Sequence, residues 1–157
     1  MTTMRSFLVA AVLGIAPAFF PADVAQAAPK ACKLEIAGND MMQFDKKELK
    51  VARDCTEVEL VLKHTGKLPA SSMGHNWVLS RTADASAVAS SGMTAGPKNE
   101  YVLPNDKRVI AKTKLIGGGQ TTSVKFPVSK LKKGEAYTFQ CTFPGHSTLM
   151  KGKLVFG

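Results

Sequence analysis

The sequence predicts an all-β domain: a Greek-key β-sandwich of about eight short strands with one short inserted helix. Three observations carry this expectation. Apolar and polar residues alternate over Glu57–Lys63, with Val58, Leu60 and Leu62 on one face and Glu57, Glu59 and Lys63 on the other, the mark of a half-buried strand. Short runs of the same kind recur along the chain, separated by turns that carry glycine or proline. Two cysteines, Cys32 and Cys55, bracket the first strand region and could staple it to a neighbour.

The first residues stand apart from that domain. Arg5 gives a short basic start, residues 6–20 form an apolar run, and Ala25-Gln26-Ala27 is a small-x-small cleavage site. This is the order of a secretory signal over residues 1–27, leaving a mature domain of residues 28–157. An N-terminal membrane anchor is the competing reading, but the run is short for a span and Pro17 interrupts it. Export without a second apolar segment predicts a soluble protein outside the cytosol, in a bacterium the periplasm, where disulfides can form.

Along the domain, Lys33–Ala37 is the first strand, with Leu34 and Ile36 on one face. Gln43–Val51 follows, anchored by Phe44 and Leu49, then Glu57–Lys63, then His75–Ser80 with Trp77, Val78 and Leu79. Thr82–Ser91 is alanine-rich and lacks alternation. It predicts a short helix capped by Thr82, ending before Gly92 and lying outside the sheets. Arg108–Thr113, Thr121–Phe126, Ala136–Cys141 and Lys151–Phe156 complete an antiparallel set. Gly117-Gly118-Gly119 is a turn between strands; neither a lysine-serine pair nor a helix follows it, as a phosphate loop requires.

Lysine and arginine number 21 against 12 acidic residues, a net charge of +9, and removal of residues 1–27 leaves it unchanged because Arg5 and Asp23 cancel. The lysines are scattered, and no aromatic residues interleave with them as a nucleic-acid platform needs. The charge therefore reads either as a solvated surface or as steering toward an acidic partner.

The chemistry concentrates near the C-terminus, where Cys141, His146 and Met150 lie within ten positions. Thiolate, imidazole and thioether form a soft, mixed ligand set that favours copper, and a weak thioether suits electron transfer better than hydrolysis. Pairing of Cys32 with Cys55 leaves Cys141 free, the alternative being Cys141 with one of the early cysteines. A free thiol in an oxidising compartment needs an occupant, and a bound metal supplies one. Copper in an electron-transfer site also needs a second imidazole. Of three histidines, His64 and His75 remain, and His75, at the start of the Trp77 strand, is the better placed. Among the methionines, Met41 reads as core filler.

Four segments resemble the blue (type 1) copper proteins of the cupredoxin family, the azurin group in particular. They are Gly38-Asn39-Asp40-Met41-Met42-Gln43-Phe44, Met73-Gly74-His75-Asn76-Trp77-Val78-Leu79-Ser80, Thr113-Lys114-Leu115-Ile116-Gly117 and the run from Cys141 to Gly152. The resemblance spans about Ala31 to Phe156, and Cys-x4-His-x3-Met with an upstream Gly-His-Asn is a specific signature. It implies a cupredoxin-like fold and one type 1 copper ion. His75, Cys141 and His146 match the equatorial ligands, Met150 the axial thioether, and Gly74 the glycine whose carbonyl approaches the metal from the opposite side. Asn76 matches the residue that ties the ligand loops and donates toward the thiolate, with Phe143 beside it around the metal. Cys32 and Cys55 match the family's disulfide, and His64 a second, non-ligand histidine.

The resemblance further implies an apolar docking patch at Met42, Leu68, Met73, Met93, Phe143 and Leu149 around an exposed ligand histidine. The chain departs from the family at Ser72 and Thr148, where small apolar residues are commoner. The implied function is electron shuttling without enzymatic chemistry, as a monomer in transient encounters. The implied partners are c-type cytochromes or a periplasmic oxidoreductase of nitrite reductase or amine dehydrogenase type, with neither nucleic acid nor a membrane span. A periplasmic copper carrier or storage protein is the alternative. Copper oxidases need more histidines and further domains than this chain holds.

Overall fold

The computed structural model describes residues 30–157; the expected signal over residues 1–27 lies outside the described residues. Among the described residues nine strands form two sheets: β1 Ala31–Asn39, β2 Gln43–Phe44, β3 Glu48–Val51, β4 Glu57–His64, β5 Val78–Arg81, β6 Val109–Lys112, β7 Thr121–Pro127, β8 Tyr137–Gln140 and β9 Lys151–Phe156. One sheet has the order β2-β1-β4-β7 and the other β3-β9-β8-β5-β6. The chain crosses between the sheets repeatedly, which is the Greek-key layout.

Not every pairing is antiparallel, contrary to the expectation. β1 runs parallel to β4, with Cys32 opposite Val58 and Gly38 opposite His64, and β3 runs parallel to β9. The second pairing follows from the break in the expected Gln43–Val51 strand. The Asp45 carboxylate accepts the Ala37 N–H at 2.8 Å and the Asp45 N–H bonds to the Ala37 carbonyl at 2.9 Å, ending β2 and releasing the chain to the opposite sheet as β3. β2 folds back on β1, while β3 pairs with β9, the last strand to arrive.

Apolar positions of the alternating strands meet between the sheets. Val58, Leu60 and Leu62 of β4 are fully buried, as are Trp77, just before β5, and Phe139 of β8. The Trp77 ring stacks at 6.2 Å from Phe126 and 6.0 Å from Phe139, joining the two layers through aromatic contacts. Cys32 and Cys55 are bonded, with Cα atoms 5.7 Å apart, tying the start of β1 to the segment before β4.

Three local expectations are corrected. The helix, α2, runs Ala85–Ala95 and includes Gly92, after a short 3-10 turn at Thr82–Asp84. It packs on the outer sheet face through buried Val88 and Gly92; a Cβ on Gly92 would stand 2.2 Å from the Tyr101 carbonyl oxygen, so glycine permits the close approach. Thr82 does not cap it, and its hydroxyl meets that of Thr138 at 3.0 Å. A four-residue helix, α1 Ala70–Met73, precedes the site and was not anticipated. Met41 is 67 % exposed rather than core filler, because it occupies the tight turn that Asn39 stabilises by accepting the Met41 N–H.

Candidate metal centre

β8 and β9 deliver one half of the site. They are antiparallel neighbours, and the segment between them must return within ten residues. Cys141 N–H bonds to the Met150 carbonyl at 2.9 Å, His146 N–H to Phe143 at 3.0 Å and Met150 N–H to His146 at 2.8 Å, so the loop is closed by its own backbone. Pro144 leads into Gly145, whose φ of 81° turns the chain into the short 3-10 segment that carries His146.

The other half is Gly74-His75-Asn76. The expected strand does not begin at His75 but at Val78; His75 forms only an isolated bridge, exchanging two 2.9 Å hydrogen bonds with Ile116. Asn76 is fully buried and joins this segment to the C-terminal loop. Its amide donates to the Thr142 hydroxyl at 2.8 Å and to the Glu100 carbonyl at 2.9 Å, and its carbonyl oxygen accepts the Thr142 N–H at 2.8 Å.

His75, Cys141 and His146 converge in the interior, with one ligand atom from each within 4.8 Å of the others. The Cys141 Sγ is 4.0 Å from His75 Nδ1, 3.7 Å from His146 Nδ1 and 3.8 Å from the Gly74 carbonyl oxygen. Bonds of about 2.05 Å to nitrogen and 2.3 Å to sulfur, typical of a small divalent ion, place nitrogen and sulfur roughly 3.8 Å apart at 120° and roughly 3.6 Å apart at the tetrahedral angle. The spacing of the sulfur from both nitrogens therefore fits a metal ion shared by the three donors. His75 Nε2–H donates to the Asn39 carbonyl at 2.9 Å, which leaves Nδ1 as the nitrogen facing the other ligands. Met150 is fully buried beside the group: a Cβ added to Gly38 would stand 2.7 Å from His75 Cδ2 and 3.2 Å from Met150 Cε.

Burial sets the protonation. It pushes the Cys141 thiol up to about 11, although the backbone N–H groups of Asn76 and Phe143 act on the sulfur in the opposite sense. It pushes His146 down to about 4, with the nearby charges of His75 and His64 adding to the effect, and it lowers His75 as well. Near neutrality both imidazoles are uncharged and ready to coordinate, while the thiol must release its proton to solvent when a metal binds.

His64 is buried and stacks on His75 at 4.2 Å between ring centroids. Its Nε2–H donates to the Met73 carbonyl at 2.8 Å and its Nδ1 accepts the Gly66 N–H at 3.1 Å, so both ring nitrogens are engaged away from the donor group. Of the expected patch, Leu68, Met93 and Leu149 are 42 %, 59 % and 53 % exposed. Met42 and Met73 are half-buried, while Phe143 is buried and packs at 4.6 Å on the His146 ring. Met93 lies across a groove of about 510 Å³ from Ser147 and Thr148. The supporting contacts of Gly38, the Asn39 carbonyl, Thr142 and Glu100 were not anticipated. Only Gly38, a glycine inside a strand, carries a sequence signal for close approach.

Residues 30–157 match the family model for copper binding proteins of the plastocyanin/azurin family. The azurin of Alcaligenes faecalis is 56 % identical over 127 residues, covering 81 % of this chain and 99 % of that protein. The azurin of Bordetella pertussis is 54 % identical over 123 residues, covering 78 % of this chain and 82 % of its own. Among solved structures, an azurin (Az-iso2) from the obligate methylotroph Methylomonas sp. strain J superposes with a TM-score of 0.78 at 45 % identity, covering 80 % of this chain and 98 % of that one.

Proposed function

The chain belongs to the plastocyanin/azurin family of copper-binding proteins, and on that premise we propose that it is a periplasmic one-electron carrier between redox proteins. His75, Cys141 and His146 would hold one copper ion in this reading, with the Met150 thioether and the Gly74 carbonyl as the weaker donors beside them. Copper supplies a one-electron couple. The chain holds the donors in one arrangement: the Asn39 carbonyl orients His75, Asn76 locks the two ligand segments together, and Phe143 packs against His146. A frame that resists rearrangement keeps reorganisation small when the charge changes, and the buried set leaves no open position for a substrate. These features support a carrier over an enzyme. The observation that carries the reading is the buried His75–Cys141–His146 group with the supports already in place.

The basic, apolar and small-residue order of residues 1–27 supports export with removal of that segment. Among the described residues no helix is long and apolar enough to cross a membrane. Exposed Leu68 and Leu149 near the donor group support a docking patch for transient encounters of a monomer with c-type cytochromes or a nitrite reductase or amine dehydrogenase. The test is repeated reduction and reoxidation of the copper-loaded protein by a c-type cytochrome with a strong chelator present. A shuttle cycles and keeps its metal. Transfer of copper to the chelator during cycling would favour the carrier or storage alternative.

A further inference from the structure

The metal end carries an uneven distribution of charge. Elsewhere most acids face a cation: Glu35 meets Lys33 and Lys63, Glu48 meets Lys50 and Lys153, and Asp106 meets Arg108. At the metal end the two acids are already committed. Asp40 accepts the backbone N–H groups of Lys67 and Leu68, and Glu100 binds Lys112 and accepts the Leu115 N–H. Four exposed lysines remain at this end, and among the described residues none of them forms an ion pair. Lys47 donates to the Leu149 carbonyl at 2.9 Å. Lys67 adjoins exposed Leu68. Lys151 lines the groove with Ser147, Thr148 and Met93. Lys114 adjoins Leu115, whose side chain packs at Gly74.

We propose that these four lysines rim the apolar surface beside His146 and select an acidic redox protein as the partner that docks there. The inference rests on the electron-carrier reading and adds the chemistry of the partner. Each exposed charge pair is weak by itself, but several charges of one sign around a contact surface raise the encounter rate and exclude partners of the same sign. A second copy of this chain presents the same positive rim, so self-association through this face is opposed.

A matched control exists at the opposite end, where Lys107, Arg108, Lys130 and Lys132 line a separate cleft with Tyr137. Lys67→Gln with Lys151→Gln and Lys107→Gln with Lys132→Gln remove the same charge from the two ends. The copper-loaded variants are reacted with an acidic c-type cytochrome at low and raised salt, and the contact is mapped by amide chemical shifts. The rim pair lowers the low-salt rate about three- to tenfold and flattens its salt dependence. The distal pair stays within about twofold, and shift changes gather around Leu68 and Leu149. Equal losses from both pairs would assign the effect to overall charge, and no loss from either would leave apolar contact alone; each result overturns the proposal. Retention on phosphatidylglycerol vesicles through the rim lysines, with the cytochrome rate unchanged, would replace the protein partner by a lipid surface. Visible spectra and reduction potentials of all variants separate the two levels: loss of the couple sinks the carrier reading, whereas failure of the rim appears with the couple intact.

Discussion

The Cys141–Met150 loop closes on its own backbone, whereas Gly74-His75-Asn76 is held by residues far away in the chain. The loop is closed by the pairing of β8 with β9 and by its internal hydrogen bonds. The upstream segment depends on Ile116 for its backbone, on the Asn39 carbonyl for the His75 ring, and on Thr142 and Glu100 for Asn76. Two donors are thus placed by local closure and one by the assembled sandwich. The centre exists only when the global fold exists, and the contacts that join the halves govern it as much as the ligands do.

The largest break comes from the local half. Cys141→Ser removes the one thiolate and is expected to lower copper affinity more than about a hundredfold, since loss of a mere supporting contact already costs about 10- to 100-fold. Competition with a chelator of known affinity measures it.

Protons sharpen the comparison next. Binding expels the Cys141 proton at every pH below about 11, so copper affinity falls about tenfold for each pH unit lowered. Near pH 4 protonation of His146 steepens the fall. The folded state holds His146 below its unfolded value of about 6.5, so the unfolded chain takes up the proton first. Stability of the metal-free protein therefore declines as pH drops from about 6.5 toward 4. Chelator competition and urea unfolding across that range follow the two effects. A pH-independent affinity would mean that the thiol is already ionised without metal.

The link between the halves is next in size. Asn76→Ala leaves the Thr142 N–H, the Thr142 hydroxyl and the Glu100 carbonyl without their partner, and is expected to destabilise the metal-free fold by about 3 kcal/mol. Urea unfolding reads this, and a change under about 1 kcal/mol would show that the halves are not joined through Asn76. Gly38→Ala acts mainly on the distant half, with Met150 Cε of the loop farther from the new methyl at 3.2 Å. Its methyl group presses on His75 Cδ2, moving the ring and lowering copper affinity about tenfold with a smaller stability loss of about 1 kcal/mol. The smallest stability effect belongs to Leu149→Ala, within about 0.5 kcal/mol because the side chain is 53 % exposed. Its electron-transfer rate with a protein partner nevertheless falls.

Legibility in the sequence follows the same division. The convergence of Cys141 and His146 was readable because thiolate and imidazole lie in one short run, and the β4 alternation matched its buried face. His75 was reached by elimination among three histidines and by family resemblance, not by local pattern, because an isolated bridge has no periodicity. The parallel pairing of β1 with β4 was not readable, since register between distant strands leaves no trace within either one. Nor was the Asn39 carbonyl, because a backbone oxygen is common to every residue. Met41 was misread for a related reason: its side chain is apolar, but the turn that carries it points outward.

The most direct test of the copper centre is the visible absorption spectrum of the protein loaded with one equivalent of Cu(II). The expected result is an intense thiolate-to-copper charge-transfer band that bleaches on one-electron reduction, returns on reoxidation and is absent in Cys141→Ser. A colourless loaded protein, or a band that survives Cys141→Ser, would contradict it.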